Sequence, residues 1–144
     1  MDLKQVVLNL RVERNLKGRY PVVVKIPSNM GGICNKKGFY VMTLYQDKNL
    51  YFHGLSSFGF KYKPKKDFAI SLDSFKKYVY IPYGKKLRQI TLINGKEFVP
   101  IHFFSNVPTS YEGECNAATI AKVFDKLGIK EVLADELDGE YDEE

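Results

Sequence analysis

Residues 87–104, LRQITLINGKEFVPIHFF, constrain the fold more than any other stretch of this 144-residue chain. Asn94-Gly95 sits between two alternating runs. Asn-Gly is the strongest short-range hairpin signal, because both central positions of a type I′ turn need positive φ. A two-residue loop at Asn94-Gly95 sets Ile93 opposite Lys96, Leu92 opposite Glu97, Ile90 opposite Val99 and Arg88 opposite Ile101. Ile90, Leu92, Val99, Ile101 and Phe103 then share a buried face. Gln89, Thr91, Lys96 and His102 share a wet one, with Phe98 and Pro100 among them. Such two-sidedness is what an antiparallel sheet with one solvated face requires. Pro100 has no N–H for a ladder, which predicts an edge strand or a bulge there.

More strands precede this hairpin. The β-branched run Tyr20–Ile26 reads as a strand. Gly38–Tyr45 and Leu50–Ser56 flank the polar turn Gln46–Asn49 as a second hairpin. Both faces of Gly38–Tyr45 are apolar or aromatic, which suits a central strand covered on both sides or one in a small closed barrel. Asp67–Leu72 and Phe75–Ile81 follow. Residues 3–16 fit a helical stripe through Leu3, Val6, Val7 and Leu10, or a strand through Val6, Leu8, Leu10 and Val12; we favour the helix. After a loop at Ser105–Cys115, Asn116 reads as an N-cap. Ala117, Ile120, Ala121, Phe124 and Leu127 make an apolar helical stripe ended by Gly128.

Seven strands and a helix in this order resemble the pleckstrin-homology-like superfamily, in its GRAM or bacterial PH-like branch. Lys37-Gly38-Phe39-Tyr40-Val41-Met42-Thr43 followed by Leu50-Tyr51-Phe52 is similar to that family's Gly-led strand, polar turn and Leu-x-Phe. Ile70-Ser71-Leu72-Asp73-Ser74-Phe75 resembles its next segment, and the Asn94-Gly95 hairpin and helix resemble its end. The likeness spans about residues 20–129. It implies a mainly β fold, a seven-stranded antiparallel barrel of two sheets capped by a C-terminal helix. Residues 1–18 would be an N-terminal extension, 19–134 the barrel and helix, and 135–144 a disordered acidic tail.

Charge is divided unevenly. Of 17 acids, seven fall in residues 135–144, while all 22 lysines and arginines precede them. The body is therefore +12 and the tail −7, so the tail either solubilises the chain or folds back and competes with an anionic partner. Phe58, Phe60 and Tyr62 interleave with Lys61, Lys63, Lys65 and Lys66, a weave that suits an anionic membrane surface or stacked bases. The resemblance implies inositol-phosphate contacts in the first strand, first loop and second strand, where Lys25, Lys36 and Lys37 stand. The family's usual Arg just beyond is missing, replaced by Gly38, Phe39 and Tyr40. Lys85, Lys86 and Arg88 complete the anion-binding candidates.

Nothing in the residues points to catalysis. There is no Walker A loop, no GxGxxG after a strand, no HExxH and no CxxC. His53 and His102 stand alone, and Cys34 and Cys115 are too few for a disulfide framework. No cofactor and no metal is expected. No apolar run approaches a membrane span, and the start lacks a signal peptide's apolar core, so a cytoplasmic location is expected. The first functional reading is a non-catalytic adaptor that binds a protein partner or a second copy of itself. Peripheral binding to anionic lipid and nucleic-acid binding through the basic body are the alternatives.

Overall fold

The computed structural model describes residues 3–14, 18–27, 36–83, 87–95, 97–104 and 117–133. Its elements are α1 (Leu3–Arg14), β1 (Arg19–Ile26), β2 (Gly38–Leu44), β3 (Asn49–Leu55), β4 (Phe68–Ser71), β5 (Lys77–Tyr83), β6 (Leu87–Asn94), β7 (Glu97–Phe104), α2 (Ala117–Lys126) and β8 (Lys130–Glu131). The fold is mainly β with two helices. The strands form one sheet in the order β4-β3-β2-β1-β7-β6-β5-β8. All neighbours are antiparallel except β8, which runs parallel to β5. It adds an eighth strand to the expected seven, where Ile129–Ala134 reads as a short apolar stretch. The sheet is open, with β4 and β8 as its edges among the described residues.

Two meanders make up this sheet. β1 and β7 join them through only two rungs, Val24–Phe103 and Lys25–His102. The inner face still converges on one core, from Val22 and Val24 through Tyr40, Met42 and Phe52 to Tyr78, Ile90, Leu92, Ile101 and Phe103. A single cluster reaching from β1 to β6 requires the sheet to curl strongly around it. Helix α2 seats Ala117, Ile120 and Phe124 on this inner face, along the stripe that the sequence marks.

Helix α1 covers the outer face. Val6, Val7 and Leu10 are buried against Val23, Val41 and Leu55. The competing strand pattern fails on burial, since Leu8 is 38% and Val12 is 86% exposed. β2 is thus covered on both sides, as its two apolar faces require.

Three expectations for the hairpin need correction. Asn94 pairs with Glu97, Ile93 with Phe98, Leu92 with Val99 and Ile90 with Ile101. The ladder is therefore displaced by two residues, because Asn94 belongs to it and Gly95, at φ +58°, opens the turn. A slip of two preserves the faces, and Ile90, Leu92, Val99, Ile101 and Phe103 are all buried. β7 is internal and not an edge, but its two rungs to β1 involve only Phe103 and His102. Pro100 meets only β6, so its missing donor costs no rung toward β1. His102 is buried rather than wet, its Nε2 2.7 Å from Gln89 Oε1. Lys96, Lys85, Lys86, Cys34, Cys115, Asn116 and the tail 135–144 lie outside the described residues.

Candidate functional site

The first three residues of β2, Gly38–Tyr40, gather lysines from three segments. Lys25 of β1 pairs with Phe39 and holds its Nζ 5.7 Å from the centre of that ring. Lys36 sets its Nζ 5.7 Å from the Phe68 ring, while its carbonyl accepts a 2.7 Å hydrogen bond from Tyr40 Oη. Lys66 lies 5.0 Å from the Tyr40 ring and donates to the Leu55 carbonyl at 2.7 Å. Tyr40 and Phe68 belong to the inner face and Phe39 to the outer, so the ammonium groups ring the end of the sheet.

A single 3-10 turn at Pro64–Lys66 brings Lys63, Lys65 and Lys66 to this end. Lys63 N–H donates to the Gly54 carbonyl at 2.7 Å. Asp67 anchors the turn by accepting from Gly54 N–H at 2.7 Å and from Tyr62 Oη. Burial and then that bond push the pKa of the Tyr62 hydroxyl up to about 12. Burial and then the charge of Lys63 hold the Lys66 ammonium below its ordinary range. Among the described residues, no carboxylate lies within 4.0 Å of Lys25, Lys36, Lys37, Lys61, Lys63, Lys65 or Lys66. Six of these cations face water, and without a close carboxylate among the described residues their field attracts anions.

The aromatic weave divides by direction. Phe60 packs against the outer cluster, edge-on to Phe39 with ring centres 4.9 Å apart. Tyr62 packs against the outer cluster under the Arg14 guanidinium, 5.4 Å away. Phe58 is 92% exposed. Its loop is closed by Ser56 N–H on the Lys61 carbonyl, by Ser56 Oγ on the Phe58 carbonyl, and by Lys61 N–H on Ser56 Oγ. A bare phenyl ring thus stands on a braced loop beside Lys61 and Lys63. Arg88 is half-buried at the start of β6 opposite Phe103, which in turn pairs with Val24 of β1.

Sequence reasoning did not link His53 to Asp67. Both ring nitrogens of His53 are buried with no hydrogen-bond partner among the described residues, and Nδ1 stands 3.8 Å from Asp67 Oδ2. Burial holds its pKa below the ordinary histidine range, with Asp67 offsetting part of the shift. His102 is shifted the same way, by burial and then by Lys25. Unfolded histidine takes up its proton near pH 6.5, and the folded groups do so lower. Their contribution is therefore complete above about pH 6.5 and is lost as pH falls toward the folded values, by at most ~1.4 kcal/mol per pH unit and histidine. Urea midpoints at pH 7.5 and 5.5 should show this acid slope, and His53→Gln should flatten it. Equal slopes in the two proteins would remove His53 as a cause.

No cluster of His, Cys, Asp and Glu suited to a metal occurs among the described residues, and no helix there is long and apolar enough to cross a membrane. No family model, curated protein or solved structure matches this chain.

Proposed function

We propose that this chain is a non-catalytic binding module of the pleckstrin-homology-like kind that docks its basic sheet end on an anionic membrane surface. One observation carries the reading: unpaired lysines from β1, the start of β2 and the 61–66 segment surround one end of the sheet, beside the bare ring of Phe58. Lysines near an anionic leaflet contribute about 1 kcal/mol each. A phenyl ring leaving water contributes roughly 1.5–3 kcal/mol. Of the exposed large apolar side chains, Leu8 and Val12 stand on α1, Phe58 is in the loop after β3 and Leu133 follows β8. That scatter gives the adaptor reading less support than the clustered lysines give this one.

Sedimentation with phosphatidylcholine vesicles, with and without phosphatidylserine, tests the proposal. Binding should need the anionic lipid and fade as salt shortens the Debye length from about 8 Å toward 3 Å. Changing Lys36, Lys37 and Lys63 together to Gln should weaken it on the order of 100-fold. Phe58→Ser should weaken it about tenfold. Equal binding to neutral vesicles, or a triple variant that binds like the parent, would refute the reading. Capture of a protein partner that survives high salt would favour the adaptor instead.

A further inference from the structure

The opposite end of the sheet holds a cavity that the basic lysine end does not use. It lies between the end of α2, the start of β1 and the β2–β3 turn, with a volume of about 270 Å³. That is near the small limit of ligand pockets, about 300–1,000 Å³. Tyr20, Leu44, Val123 and Leu127 make an apolar floor, and Arg19, Lys48 and Lys126 stand at its rim. No acid lines it. Among the described residues no carboxylate is within 4.0 Å of the three cations. Asp47, in the same turn, is engaged by Asn49 N–H, Asn49 Nδ2 and Tyr51 Oη. The end of α2 presents partial negative charge to the pocket, which Lys126 offsets.

Backbone strain is concentrated at the same place. The described chain has three non-glycine residues with positive φ, and two of them, Tyr20 at +53° and Lys48 at +64°, line this pocket. Tyr20 falls in an irregularity of the β1–β2 ladder between Arg19 and Val22, the kind of bulge that re-aims side chains. Lys48 closes the turn through its N–H to the Tyr45 carbonyl at 3.0 Å, in a left-handed conformation that glycine adopts without strain. A lysine held there keeps a cationic residue in the pocket lining at a cost in stability. Strain of this sort persists where it serves a site.

We infer that this pocket binds a small amphiphilic anion, a carboxylate or phosphate monoester with a short apolar body. The body rests on Tyr20, Leu44, Val123 and Leu127, and the head meets Arg19, Lys48 and Lys126. This inference does not rest on membrane docking by the other end.

NMR titration of the full chain with octanoate, octyl phosphate, octanol and octylamine tests it. The two anions should give saturable shifts centred on Tyr20, Leu44 and Leu127, at least tenfold tighter than octanol, with octylamine weakest. Comparing octanoate with octyl phosphate tells which head group fits better. Lys48→Gly should weaken the anions at least fivefold, leave octanol unchanged, and raise the thermal midpoint by a few degrees as the turn relaxes. Three results would overturn the inference: octanol binding as tightly as octanoate, no saturation by either anion, or shifts centred on Gly38–Tyr40 at the other end. Unweakened anion binding by Lys48→Gly would do the same.

Discussion

Phe124→Ala should lower stability by about 3–5 kcal/mol, the usual cost of removing a buried aromatic ring. Phe124 is 1% exposed and meets Tyr78 with ring centres 5.8 Å apart. Tyr78 in turn donates to the Ala121 carbonyl at 3.3 Å and to Asp125 Oδ1 at 2.8 Å, tying α2 to β5 by its hydroxyl as well as its ring. Burial and the Asp125 carboxylate raise the Tyr78 pKa far above the ordinary range, so the hydroxyl stays protonated and keeps donating. The cavity left by alanine would undercut both contacts. Urea unfolding of Phe124→Ala beside Lys122→Ala, an exposed position on the same helix, gives the comparison. Lys122→Ala should change stability by less than about 0.5 kcal/mol. Similar losses in the two variants would show that α2 is not seated by this stripe.

Gly54→Val should cost about 1–3 kcal/mol or more through overpacking and should dismantle the basic end. A Cβ at Gly54 would come within 2.4 Å of Lys66 Cβ and 2.6 Å of the Lys63 carbonyl oxygen. The second neighbour is backbone, so the 63–66 turn itself must move. That movement would break the Lys63–Gly54 and Gly54–Asp67 hydrogen bonds and scatter Lys63, Lys65 and Lys66. Denaturation midpoints and vesicle binding should therefore fall together. A folded Gly54→Val protein with intact anion binding would detach the 63–66 turn from the site.

Much of this architecture was legible in the residues. Alternation assigned Ile90, Leu92, Val99, Ile101 and Phe103 to the core, because a period of two survives an even slip in register. The stripe Ala117, Ile120 and Phe124 announced the face that α2 buries. What escaped were contacts between distant segments. Nothing local tells that α1 will close over Val23 and Val41, or that His102 will be flanked by Gln89 and Lys25. Lys25, Lys36 and Lys37 were candidates by position and Lys61, Lys63, Lys65 and Lys66 by composition. Their convergence depends on the 63–66 turn folding onto Gly54, which no periodicity reports. The pocket beside α2 was invisible for another reason: positive φ at Tyr20 and Lys48 is imposed by the fold, against the preferences of both residues.

The joint between the meanders has a consequence for how the chain reaches this state. The β1–β2, β2–β3, β3–β4, β5–β6 and β6–β7 pairings are all between neighbours in sequence and can form with little loop-closure entropy. The two rungs between β1 and β7 close most of the domain into one loop for very few hydrogen bonds. By the relation between contact order and rate, that closure belongs late in folding. The contacts that set the lysine end, from Lys25–Phe39 to Lys66–Leu55, all lie within β1–β4, so that end would take shape before the halves meet.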